Sequence, residues 1–305
     1  MNNQLRGTLY LLLCAMVWGF AFSAQSNAMN YIQPFTFVFL RSTITCAVLF
    51  AAMPLIRRMT GQKRERRDAR SLRRHIFAGG LIGMALVSAT LFQQVGLVYT
   101  TPAKSGFITA LYIVIVPVAG MFFGSRVKLP VWIGVALSLA GMILLCVQSD
   151  LSVNQGDVLT FISAFLFSCQ IMLVGRFAAD TDTLLLSAIQ FAACAVISGI
   201  VAFIFETPRL DGILACWTSI LYVAVFSGAI GYTLQMFGQK YADPTLASIL
   251  MCLESVFAAL GGWLLLGQTL TPREFLGCAL MLAASVVAQL KFPEGTERRT
   301  RANGR

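Results

Sequence analysis

Residues 93–130 read QQVGLVYTTPAKSGFITALYIVIVPVAGMFFGSRVKLP, and residues 235–272 read QMFGQKYADPTLASILMCLESVFAALGGWLLLGQTLTP. Set one above the other, 142 positions apart, they share Gln93 and Gln235, Gly96 and Gly238, Tyr99 and Tyr241, and Pro102 and Pro244. Leu111 and Leu253, Gly120 and Gly262, and Pro130 and Pro272 continue the register. It survives two apolar runs and the turn between them, so shared hydrophobicity does not account for it. A repeat of this length inside a very apolar chain marks a transporter built from two related halves.

The rest of the chain fits that frame. Of its 305 residues, 57% are hydrophobic and 12% charged, about half the charge a soluble domain carries. A helix crossing a bilayer needs roughly 20 mostly apolar residues. Ten windows qualify, near 7–25, 33–55, 76–97, 101–122, 130–148, 156–175, 183–205, 217–237, 244–266 and 273–290. They leave no stretch long enough for a soluble domain, so the chain reads as an all-α membrane protein with ten transmembrane helices. The polar stretch 148–155 divides it into one five-helix repeat over 1–150 and a second over 151–290, with a polar tail over 291–305. Because five is odd, two similar halves must lie upside down relative to each other, as inverted repeats.

The net charge of +10 is a topology signal. With the N-terminus in the cytoplasm, 19 of the 23 Lys and Arg fall on that side, nine of them between Arg57 and Arg74. The positive-inside bias therefore places both termini in the cytoplasm. The basic run has no interleaved aromatic residues, which argues against nucleic acid; it is a solvated loop that can also attract anionic lipid headgroups. The apolar N-terminus is long enough to span and carries one early basic residue, so it reads as an uncleaved first helix. No CxxC occurs among the eight cysteines, and neither a metal site nor a redox pair is expected.

Pro34, Pro102, Pro130, Pro244 and Pro272 stand at the starts of spans, where a missing N–H costs least. Pro117 lies deep in the fourth span and is a hinge candidate or a packing kink. Gly79, Gly80 and Gly83, the Gly120–Gly124 GxxxG, and Gly261 and Gly262 predict close helix packing without specifying an oligomer.

Charges inside a membrane are functional candidates until given a structural reason. Glu254 stands ten residues after Pro244, about 15 Å deep and so near the midplane. Arg41 enters from the opposite side to similar depth. One reading makes Glu254 a proton- or cation-binding group and Arg41 a site for an anionic substrate group; the other makes them a buried ion pair or packing contacts. Lys104 lies just inside the fourth span and is expected to snorkel to the external interface, with a substrate contact secondary. Trp18, Gln93, Gln94, Tyr112, Gln170, Gln190, Tyr232 and Gln235 interrupt apolar helices and must face other helices or a wet cavity. The repeat relates Gln93 to Gln235 and Tyr112 to Glu254, which makes these the stronger cavity candidates.

Catalysis has little to stand on. The single histidine, His75, falls in the basic loop, and HExxH, paired membrane carboxylates and a glycine-rich phosphate loop are all missing. Uphill transport would draw on an ion or substrate gradient, and no cofactor is implied.

Trp18-Gly19, Arg41, the stretch GLVYTTPA over 96–103 and PTLASILMCLESVFAALGGWLLLGQ over 244–268 resemble the drug/metabolite transporter superfamily, specifically its ten-helix EamA-type members. The resemblance covers nearly the whole chain and implies an inner-membrane secondary carrier, often an exporter of amino acids or other small metabolites. Ser255 stands where the family often has proline. Gly267-Gln268 stands where it usually has Gly-Glu, which puts any role for that second acid in doubt. The expected protein is thus an exporter of a small metabolite, such as an amino acid or amphipathic compound, by alternating access, with a proton or other ion as coupling partner. The alternative is a non-transporting sensor or assembly partner on the same scaffold.

Overall fold

A computed structural model describes residues 3–60, 69–125, 127–146, 153–266 and 271–290. The centre of the basic loop, most of the polar stretch at 148–155, Gly267-Gln268 and the C-terminal tail lie outside these residues.

The described residues are helical throughout, without a strand. The elements are α1 (Asn3–Ala28), α2 (Pro34–Thr60), α3 (Ala69–Tyr99), α4 (Pro102–Thr109), α5 (Tyr112–Phe122), α6 (Leu129–Cys146), α7 (Gln155–Phe177) and α8 (Thr183–Phe205). Then come α9 (Leu210–Ala215), α10 (Trp217–Tyr222), a π-helical segment (Val223–Gly231), α11 (Tyr232–Gln239), α12 (Pro244–Met251), α13 (Glu254–Leu266) and α14 (Pro272–Val287). Among the described residues, seven helices are long and apolar enough to cross a membrane: Asn3–Ala28, Pro34–Arg58, Arg70–Tyr99, Lys104–Phe122, Gln155–Asp180, Thr183–Phe205 and Trp217–Gln239. Leu129–Leu145 and Pro244–Leu260 are apolar but shorter.

Burial differs from that of a water-soluble protein in its apolar exterior and in the polar residues buried beside an apolar core. Large apolar side chains such as Phe122, Phe203, Phe205 and Leu129 are exposed, whereas Thr45, Ser105, Gln170 and Gln235 are buried. In lipid, apolar groups can face outward and polar ones must find partners inside. The chain is a multi-pass membrane protein.

The sequence explains where the helices start. Pro34, Pro102, Pro244 and Pro272 each occupy the first helical position, as expected. Thr101 and Asp243, related by the 142-residue repeat, cap α4 and α12 by accepting backbone N–H bonds. The start of α2 is capped from a distance: the Glu206 carboxylate, at the end of α8, accepts from Phe35 N, Thr36 N and Thr36 Oγ1 at 2.8, 2.6 and 2.7 Å. A carboxylate at a helix N-terminus is favoured by the helix dipole. At the other end of α8, Asp182 caps that helix and accepts from Arg57 at 2.7 Å. His75, expected in a loop, lies within α3 and accepts from Asp182 N through Nε2.

The packing is paired across the two series. α3 packs along α7, as α11 and the π segment pack along α1; α4 and α5 meet α7, as α12 and α13 meet α1. α3 lies on α8 as the π segment lies on α2, while α2 meets α8, α6 meets α14 and α5 meets α12.

The two expected continuous helices are each interrupted. α4 gives way to α5 at Ala110–Leu111, and α12 to α13 at Cys252–Leu253. Shifting 102–109 and 112 by 142 gives 244–251 and 254, so both breaks fall at the same repeat position. There the backbone tightens to i→i−3 bonds, Leu111 N to Ile108 O at 3.2 Å and Leu253 N to Leu250 O at 3.3 Å. Neither break has proline or glycine. Pro117 stands inside α5, downstream of its break.

The Gly120–Gly124 reading is corrected. Gly124 has φ +84° and meets no neighbour, while Ser125 N bonds Gly120 O and Gly124 N bonds Met121 O. That is a helix C-cap built on a left-handed glycine, and it does not pack two helices together. Gly79 and Gly83 do lie against α8, whereas Gly80 faces open space.

Gln94 and Gln190 are fully buried, and neither amide has a hydrogen-bond partner among the described residues. Neither lines the central cavity. Gln190→Leu is expected to raise the unfolding free energy by about 1–2 kcal/mol, since an unpaired buried amide costs that much. Thermal unfolding in detergent measures it, and flux should be unchanged.

Candidate functional site

A cavity of about 50 Å³ lies where the two series of helices meet. Its walls include Trp18, Phe22 and Gln25 of α1, Arg41 of α2, Gln93 of α3, Thr109 at the end of α4 and Tyr112 at the start of α5. Phe167 and Gln170 of α7, Ser227 of the π segment, Tyr232 and Gln235 of α11, and Glu254 at the start of α13 complete them. The volume admits water but is far below the roughly 300 Å³ at which ligand pockets begin. This conformer is contracted around its centre.

The two helix breaks build the middle of the site. Tyr112 and Glu254, each the first residue after its break, meet across the cavity with Tyr112 Oη 3.4 Å from Glu254 Oε1. That is long for a hydroxyl bond, whose usual length is nearer 2.7 Å. Glu254 is 5% exposed, and its carboxyl sits in the first turn of α13, where the helix dipole favours negative charge. α1 is pressed against the same break: a Cβ on Gly19 would stand 2.5 Å from Glu254 O, so only glycine fits.

Most of the remaining polar groups are held within their own halves, and Trp18 bridges the two. Gln93 Nε2 donates to Thr109 Oγ1 at 2.9 Å, and Gln235 and Gln170 exchange amide bonds at 3.1 and 3.2 Å. Trp18 Nε1 donates to Ser227 O at 3.1 Å, and its ring lies 4.7 Å from that of Tyr232. Ser227 lies within the π segment, and such segments recur at functional sites. Arg41 Nη1 donates to Gln25 Oε1 at 2.9 Å, with the guanidinium carbon 5.7 Å from the Phe37 ring centre. Among the described residues, no carboxylate lies within 4 Å of Arg41, so it forms no ion pair with Glu254.

Eight of the residues singled out by sequence therefore share one cavity: Trp18, Arg41, Gln93, Tyr112, Gln170, Tyr232, Gln235 and Glu254. Lys104 does not line it; its side chain, 29% exposed, pairs through Nζ with Asp157 Oδ2 at 2.6 Å in the first turn of α7. Pro117 also lies off the cavity lining. Gln25 and Thr109 escaped the sequence reading, although each is a polar residue in an apolar helix and the same logic would have found them. The Ser227 carbonyl leaves no trace in sequence. Among the described residues, no cluster of His, Cys, Asp or Glu is placed to hold a metal ion.

A polar cavity enclosed by interrupted apolar helices is the build of a membrane transporter. The chain belongs to the EamA-like transporter family, whose profile matches residues 5–147 and 154–289, and so to the drug/metabolite transporter superfamily. It is 28% identical over 291 residues to an uncharacterized transporter of Archaeoglobus fulgidus, covering 95% of this chain and 87% of the relative. It is 28% identical over 174 residues to the inner membrane transporter YedA of Escherichia coli, 55% of each chain. It is 36% identical over 70 residues to the threonine/homoserine exporter RhtA of the same species, 23% of this chain and 24% of the relative. One solved structure superposes over 93% of this chain and 96% of its own at a TM-score of 0.74 with 21% identity, a likeness of fold.

Proposed function

We propose that the chain is an inner-membrane secondary transporter that exports a small polar or amphipathic metabolite of the amino-acid class. It works by alternating access between two inverted five-helix repeats, with ten spans and both termini in the cytoplasm. The observation that carries this reading is the pair of repeat-related breaks, which bring Tyr112 and Glu254 together at the cavity. Interrupted helices in matching positions of two halves frame the substrate site of such carriers. The paired packing of the two series supports the pseudo-twofold, and the odd number of windows per half supports its inversion. The threonine/homoserine exporter among the relatives supports both the direction and the solute class.

Glu254 is the coupling group in this reading, and Trp18, Gln93, Tyr112, Tyr232 and Gln235 line the path. Two changes then carry the solute across: the contracted cavity widens, and it opens at one end at a time. Pro117 serves as a hinge for α5 during that motion.

The test compares metabolites released by cells expressing the wild type with those released by cells expressing Glu254→Gln, at matched membrane levels. Enrichment of an amino acid or a related amphipathic compound with the wild type alone is the expected result. No enrichment over empty cells, together with no flux in purified liposomes, would favour a sensor.

A further inference from the structure

We propose that Arg41, held by Gln25, is a subsite for the carboxylate of the transported solute; this rests on the transporter reading above and adds the part of the solute that is recognised. Arg41 is 8% exposed and lines the cavity. A guanidinium carries five N–H donors, and in this structure one of them is used, by Gln25 Oε1. The Phe37 ring lies 5.7 Å from its carbon and supplies attraction to the charge but accepts no conventional hydrogen bond.

A purely structural arginine at this depth would be paired, because burying a charge with most of its donors unused is costly. The nearest acid of the cavity does not pair it. Glu254 stands beside Tyr112, and its backbone meets α1 at Gly19, six residues before the Gln25 that holds Arg41. At 1.5 Å per residue the two charged poles are separated along α1 by about 9 Å. Each is thus free to act on a different part of one solute.

The chemistry selects the ligand. The unused guanidinium donors form a planar fork that matches two carboxylate oxygens, a charge-assisted and bidentate arrangement. Gln25 fixes the fork from α1 while Arg41 comes from α2, so the subsite spans two helices. An acidic or zwitterionic solute satisfies the guanidinium when it binds; a cation or a neutral amide leaves it unpaired.

The test uses purified protein in liposomes and three probes of similar size. L-threonine carries both charges, L-threoninamide only the ammonium, and 3-hydroxybutyrate only the carboxylate. The wild type is expected to move threonine at least tenfold faster than threoninamide, with 3-hydroxybutyrate nearer to threonine. Arg41→Met is expected to erase that preference, and Arg41→Lys to keep part of it as a point charge without the fork. Because Arg41→Met could fail to fold, the lysine variant and the wild-type probe ratio each decide the matter alone. Equal wild-type rates for threonine and threoninamide would overturn the proposal and leave the transporter intact. So would threoninamide flux that requires chloride, since the guanidinium would then hold a free anion. No flux of any probe would sink the amino-acid reading itself, and this subsite with it.

Discussion

Glu254→Gln is expected to abolish concentrative export, lowering it at least a hundredfold, and to remove its dependence on the proton gradient while the protein still folds. The amide keeps the shape of the carboxyl and can still accept from Tyr112 Oη, so packing at the α12–α13 break is preserved. What it loses is the capacity to exchange a proton or hold a cation. Among the described residues, Glu254 is the one acid that lines the cavity, and an ionisable group at that depth is rarely retained without function. Purified protein in liposomes with an imposed pH difference measures the effect, and Tyr112→Phe provides the graded control. Removing a hydroxyl 3.4 Å from the carboxyl should slow flux about threefold and leave coupling in place, since the contact is long and weak. Concentrative export by Glu254→Gln at the wild-type rate, with the same gradient dependence, would reduce the residue to a packing role.

How far the sequence foretold this site depends on the kind of constraint. Polar residues in apolar helices were legible because hydrocarbon offers them no partner. Trp18, Arg41, Tyr232 and Glu254 stood out for that reason, and they converge on one cavity. The repeat register was legible for a similar reason: it matched Tyr112 with Glu254 before any contact was known. The helix breaks were not legible. Ala110, Leu111 and Leu253 are good helix formers, neither break carries proline or glycine, and both lie where the chain packs on α7 or α1, contacts that no local pattern records. The π segment was hidden in the same way. Its register partner in α3 is a regular helix, so the difference lies in what Trp18 and Thr45 do to it from neighbouring helices. Each bonds one of its carbonyls, Ser227 O and Ala224 O. The ion pair of Lys104 was not legible because its partner is remote in sequence. Asp157, three residues after Asn154, reads locally as part of a capping box, which it also is.

That ion pair carries the second large prediction. Asp157 ties three segments together: it accepts from Thr100 Oγ1 at the end of α3 at 2.7 Å and pairs with Lys104 of α4 at 2.6 Å. It also closes the first turn of α7 through Asn154. If the cavity opens between α4–α5 and α7, this cluster must come apart, so it acts as a latch on the face opposite the basic loop. At the other end the 142-residue repeat matches Lys104 with Leu246, and Gly7 packs on Gly238 as Gly156 packs on Gly96, which matches Asp157 with Thr8; there Thr8 Oγ1 donates to Gln289 at 2.9 Å, a neutral contact. The latch is therefore one-sided and favours closure at the Lys104 end. Lys104→Met removes the counter-charge from a buried carboxylate in the closed form, whereas opening lets that carboxylate hydrate. Losing one partner of a buried pair costs about 3–5 kcal/mol, and the partial exposure of Lys104 reduces this to about 2 kcal/mol. The open population should rise about 30-fold. Thr109→Cys, with its side chain on the cavity wall, reports it: an impermeant thiol reagent applied from the Lys104 face should label it about 30-fold faster when Lys104→Met is added. The exchanged pair, Lys104→Asp with Asp157→Lys, should bring labelling back towards the wild-type rate. Labelling that ignores both changes would mean that α4 and α7 do not part at this end.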